Sequence, residues 1–206
     1  GLDLRQLVAG WGPMNPERVA HILVQVCGSL QEAHEAGLVH RDIKPANVLL
    51  TRRGGRADVA KVLDFGLVHA VGEEAGDGSG VVGTPAYLAP EGYSAPDQVD
   101  ARSDLYSLGV MGWFLLAGRL PFEGEALPAL CHQHLFEEPP ELPASVPAML
   151  AEVVMQCLAK APGDRPASAA SVAKAIASVA AAWTPERAAD WWSNVPTPSS
   201  GPSFDD

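Results

Sequence analysis

Three side chains of different chemistry fall within six residues: the carboxylate of Asp42, the ammonium of Lys44 and the amide of Asn47. They stand in His40-Arg41-Asp42-Ile43-Lys44-Pro45-Ala46-Asn47, which runs directly into the apolar Val48-Leu49-Leu50. Asp42 and Asn47 are five positions apart with Pro45 between them. No regular helix face brings such a pair together, so a loop anchored by the following strand is required. A second carboxylate, Asp64, closes the next apolar run. Phosphoryl transfer to a hydroxyl needs a carboxylate to orient the attacking oxygen, positive charge on the phosphate, and a metal. Magnesium prefers hard oxygen ligands and keeps several waters, so one carboxylate and one amide oxygen suffice. In that assignment Asp42 is the base, Lys44 holds the transferring phosphate, and Asn47 and Asp64 bind Mg2+.

The flanking sequence supplies elements to position these groups. Asn15 and Pro16 open a helix whose apolar stripe is Val19, Ile22, Leu23, Val26, Leu30 and Ala33, and Gly37 stops it. Residues 48–50 and 59–63 read as two strands of a hairpin, with 51–58 as a polar, glycine-bearing turn whose basic residues form a solvated tip. The piece from Leu2 to Val8 reads as a short amphipathic helix. From Asp104 to Ala117 the chain is apolar on nearly all sides, which predicts a buried central helix with a carboxylate at its start that must be hydrogen-bonded. Further helices are expected over 126–135, 148–159 and 167–182. His132 and His134 are two apart, on different faces, and make no metal pair.

Bulk properties narrow the classes. The 206 residues are 47% hydrophobic and carry a formal net charge of -11, which excludes a phosphate-backbone binder and so a nucleic-acid partner. Cys27, Cys131 and Cys157 are scattered and odd in number, so neither a disulfide framework nor a zinc site is expected. No signal peptide is visible and no apolar run reaches the ~18 residues that span a bilayer, which makes the cytoplasm the default compartment.

The run from His40 to Asn47, then Asp64-Phe65-Gly66, then Gly83-Thr84-Pro85-Ala86-Tyr87-Leu88-Ala89-Pro90-Glu91, then Ser103-Asp104-Leu105-Tyr106-Ser107-Leu108-Gly109, resembles the eukaryotic-type protein kinases in their bacterial form. Lys44 and Thr84 match the serine/threonine branch. The resemblance implies a mainly α fold: a kinase-like C-terminal lobe over residues 1–182, a helical bundle with a small β-hairpin at the active-site face. Residues 183–206 read as a Trp-containing segment and a Pro/Ser-rich tail or linker, disordered at its end. The resemblance also implies ATP and Mg2+ as cofactors and protein substrates with a Ser or Thr acceptor. Thr84 would bridge Asp42 and Lys44, Asp3 would meet the ATP ribose, and Leu49 would lie beneath the adenine. Asp104 would bond the backbone of the His-Arg-Asp turn and Glu91 would pair with Arg165. Arg41 would receive a phosphate, and Ser79, alone between Asp64 and Thr84 in carrying a side-chain hydroxyl, is the expected phosphosite.

A complete kinase also has an N-terminal lobe with a glycine-rich loop, a strand lysine and a helix glutamate. None of the three occurs in the few residues ahead of the helix that Asn15 and Pro16 open. The chain therefore reads as the lobe of a serine/threonine kinase, separate from its partner lobe and not self-sufficient in ATP binding. The parent protein could be membrane-anchored through segments outside this chain. The alternative is a non-catalytic kinase-like lobe acting as a binding or regulatory module.

Overall fold

A helix that is apolar on every side is stable only when other elements surround it. That stretch forms α4 (Ala101–Ala117) at the centre of the molecule. The computed structural model describes residues 1–63, 69–70, 83–124 and 126–194. In chain order it contains β1 (Leu2–Asp3), α1 (Leu4–Trp11), α2 (Pro16–Glu35), β2 (Leu38–Val39), β3 (Val48–Arg53), β4 (Arg56–Val62), β5 (His69–Ala70), α3 (Pro90–Ser94), α4, α5 (Leu127–Phe136), α6 (Ala148–Cys157), α7 (Ala169–Ala180) and α8 (Pro185–Asn194). The fold is mainly α with a small antiparallel sheet at one edge.

Leu105, Leu108 and Met111 of α4 share one core with Ile22 and Leu30 of α2, Leu150 of α6 and Ile176 of α7. Full burial of each such side chain stabilises by about 1.5–3 kcal/mol relative to exposure. The apolar stripe of α2 is the buried one, and Asn15 caps it by accepting from Glu17 and Arg18 N–H. Helix α4 begins earlier than expected, because Asp100 and not Asp104 is its cap. That frees Asp104 for another task.

The sheet has the order β1-β3-β4. Leu2 and Asp3 were expected in a helix, but they pair with Leu50 and Leu49 of β3. Asp3 is extended and caps α1 by accepting from Gln6 N–H, so the helix can start only at Leu4. The hairpin is also longer than its apolar runs. β3 and β4 continue to a two-residue turn, Gly54-Gly55, with φ of 57° and 75°. Both values are left-handed and suit the hairpin turn whose twist matches the strands.

Asp58 departs furthest from the sequence reading. It belongs to β4, not to a solvated turn, and it is buried. Arg18 grips it in a bidentate pair. The indole N–H groups of Trp183 and Trp192 donate to it from the C-terminal segment. Helix α8 thereby lies against the hairpin. The cysteines are all free thiols, with Cys27 and Cys157 buried and Cys131 partly exposed.

Candidate active site

The loop after β2 is set by α4. Asp104 is fully buried in the first turn, where the positive end of the helix dipole favours a carboxylate. It accepts from the backbone N–H of His40 and Arg41, each at 2.8 Å, and from His34 Nε2 at 2.8 Å. Arg41 is held at φ 64°, a left-handed conformation that costs energy for any residue with a Cβ. His40 is the second fixture. Its Nδ1 accepts from Asp42 N–H and its Nε2–H donates to the Leu63 carbonyl at 2.9 Å. One imidazole thus ties the loop to the residue that precedes Asp64.

Four donors converge on Asp42. Oδ1 accepts from Thr84 Oγ1 at 2.7 Å and from Thr84 N–H at 3.2 Å. Oδ2 accepts from Asn47 Nδ2 at 3.0 Å and faces Lys44 Nζ at 2.6 Å. Lys44 Nζ also donates to Thr84 Oγ1 at 2.6 Å. Burial is the largest influence on the Asp42 carboxyl and pushes its pKa up. The bonds from Lys44, Thr84 and Asn47 and the Lys44 charge together outweigh it, so the group stays below its ordinary value and is ionised at neutral pH. Asn47 spends its amide nitrogen on the Asp42 carbonyl and carboxylate, which leaves Oδ1 as the atom able to meet a cation.

Thr84 reaches this group because Gly83 precedes it. Gly83 has φ 120°, and a Cβ there would lie 2.8 Å from the Arg41 carbonyl oxygen. The turn that follows, Pro85–Tyr87, is pinned by Tyr93 Oη donating to the Pro85 carbonyl and by Ser107 Oγ donating to the Tyr87 carbonyl. Below it, Glu91 and Arg165 form a buried bidentate pair at 2.6 and 2.7 Å.

Of the residues singled out by sequence, Asp42, Lys44, Asn47 and Thr84 meet in one cluster. Asp3 and Leu49 face each other across β1 and β3. Asp64 and Ser79 lie outside the described residues. Asn47 Oδ1 is a hard oxygen donor beside the Asp42 carboxylate, a donor chemistry that suits magnesium. Sequence reasoning missed His40 as a tie and His34 as a partner of Asp104. A polar residue next to the apolar stripe of α2 was the available signal for His34.

A model of the protein kinase domain matches residues 1–177. The chain belongs to the protein kinase family. This kinase lobe is 45% identical over 172 residues to the serine/threonine-protein kinase Pkn1 of Myxococcus xanthus, covering 80% of the chain and 24% of that relative. It is 39% identical over 183 residues to a probable serine/threonine-protein kinase of Corynebacterium efficiens, covering 84% of the chain and 27% of the relative. To the serine/threonine-protein kinase PknB of Mycobacterium tuberculosis it is 37% identical over 180 residues, 84% of the chain and 28% of the relative. The kinase chain thus spans about a quarter of the length of these bacterial relatives. No described helix is long and apolar enough to cross a membrane.

Proposed function

We propose that this chain is the catalytic-loop lobe of a serine/threonine protein kinase that transfers the ATP γ-phosphoryl group to Ser or Thr hydroxyls of protein substrates. The lobe works with an N-terminal lobe that is not part of these 206 residues. One observation carries the reading: the ionised Asp42 carboxylate is held by Lys44, Asn47 and Thr84 at once. A depressed pKa makes Asp42 an orienting acceptor for the substrate hydroxyl. The longest of its four contacts, Thr84 N–H at 3.2 Å, is the one that can yield room for that hydroxyl. Lys44 is placed to neutralise charge on the group in transfer. Asn47 and Asp64 would hold Mg2+, which when bound neutralises phosphate charge. Asp3 and Leu49, cross-strand partners, would flank the nucleotide.

The reading is tested in a protein containing this chain together with its N-terminal lobe. Asp42→Asn should lower phosphotransfer to a protein substrate by about 10²–10⁴-fold, the usual contribution of a positioned acid–base group. The circular-dichroism spectrum and melting temperature should change little. Retained turnover would overturn the assignment. Arg41 Nε is buried without an acceptor among the described residues, which supports its proposed role as receiver of a phosphate on Ser79.

A further inference from the structure

Asp58 lies outside the site, yet its carboxylate is built into a closed set of contacts. It is fully buried and accepts from Arg18 Nε at 2.8 Å, Arg18 Nη2 at 2.7 Å, Trp183 Nε1 at 2.8 Å and Trp192 Nε1 at 2.7 Å. The Arg18 guanidinium sits 3.6 Å from the centre of the Trp191 ring. Asp58 has φ 53°, left-handed for a residue with a Cβ, near a step in the β3–β4 register between Thr51 and Arg53. A strained residue that persists is over-determined by its surroundings. Here half of those side-chain donors come from the C-terminal segment.

The strand that carries Asp58 leads to the site. From Asp58 to Val62 is four residues, roughly 14 Å of strand. The next residue, Leu63, donates its N–H to the Asn47 carbonyl at 2.8 Å and accepts from His40. β3 and β4 are paired from Val48↔Val62 to Arg53↔Arg56, so one ladder links the two ends of the hairpin. Its far end is held by Trp183, Trp192 and Arg18, and its near end presents Asn47.

We propose that the segment from Trp183 through α8 is a clamp on the hairpin, and that Asp58, Trp183 and Trp192 are positioning residues for Asn47. Withdrawing the two indoles leaves a buried carboxylate short of donors, and the hairpin shifts to rehydrate it. The effect on turnover rests on the kinase reading above; the effect on the hairpin does not.

The test uses the whole 206-residue chain. Trp183→Phe/Trp192→Phe keeps the rings and removes only the N–H donors. Hydrogen exchange should quicken about tenfold at hairpin amides 47–62, with α2 and α4 protected as in the wild type. Wild-type protection of the hairpin, with quickened exchange confined to α8, would overturn the clamp. Should the double variant unfold, Trp192→Phe alone, which leaves three donors, is read the same way. In the protein with its N-terminal lobe, the double variant should raise KM for MgATP severalfold with a smaller change in kcat. An unchanged KM beside a loosened hairpin would also overturn the positioning role. A wild-type protein with no phosphotransfer would remove the kinase reading and leave the exchange result to decide the clamp.

Discussion

Replacing Arg165 by Met tests the buried pair beneath the Pro85–Tyr87 turn. Arg165 gives Glu91 two bonds, at 2.6 and 2.7 Å, and donates to the carbonyls of Arg102, Lys160 and Ala159. Met fills similar volume but leaves Glu91 with Ser103 Oγ as its one remaining side-chain donor among the described residues. Stranding one charge of a buried pair costs about 3–5 kcal/mol. At about 2–4 °C per kcal/mol for a chain of this length, the melting temperature should fall by about 10 °C. The sign of the pH dependence is fixed by the same contacts. Burial is the largest influence on Glu91 and pushes its pKa up, but the bonds and charge of Arg165, with Ser103, bring it below the ordinary value. In the wild type the ionised form therefore adds stability above the unfolded pKa, and that stability is lost as pH falls through the folded one. Without Arg165, burial wins, the folded pKa rises, and acid relieves the stranded charge. Urea unfolding of both proteins at pH 7 and near pH 4 should show the gap shrinking with acid. Glu91→Gln added to Arg165→Met should recover about 2 kcal/mol, since no charge is then stranded. A gap under about 1 kcal/mol at pH 7, or one constant with pH, would refute the reasoning.

Other outcomes follow from single contacts. Burial and then the Lys160 ammonium push the His134 imidazole down to about 4, so the unfolded chain binds a proton that the folded chain refuses. Stability should thus fall by about 3 kcal/mol as pH drops from 6.5 to about 4, and His134→Gln, which keeps a partner for the Tyr106 hydroxyl, should remove that slope in urea titrations. Gly83→Ala places a methyl against the Arg41 carbonyl and should displace Thr84 from Asp42, cutting kcat in the two-lobe protein more than it lowers the melting temperature. Ser79→Ala should lower activity and abolish a phosphate on the segment between Asp64 and Thr84 by mass spectrometry; full activity with no phosphate there would end that idea.

The meeting of Asp42, Lys44 and Asn47 was legible because they are local in the chain. Asp42, Lys44 and Asn47 lie within six residues, and the turn around Pro45 leaves few ways to arrange them. The helices were legible from periodicity, and Asp104 from the rule that a carboxylate beside an apolar helix needs donors. Asp58 was not, because an acid in an Arg- and Gly-rich stretch has the composition of a solvated turn. Its partners are 40, 125 and 134 residues away, and no local pattern registers contacts of that range. β1 escaped for the opposite reason: two residues are too few for any period, and pairing with β3 decides their conformation. His134 was read only as a non-ligand, since the partner of its Nδ1, the hydroxyl of Tyr106 on α4, is set by tertiary packing.

The three free thiols have a practical consequence. Burial, with a smaller push from Cys157, raises the Cys27 thiol far out of its ordinary range, and burial, against a smaller pull from the Arg165 charge, raises Cys157 to about 12. Neither can form the thiolate that an alkylating reagent attacks while the core is closed. Cys131, partly exposed on α5, is within reach of the reagent. A short pulse of reagent therefore tags the folded chain once, and further tags accumulate only as the core that buries Cys27 and Cys157 opens. The unmutated protein is its own counter of core openings, read by mass alone.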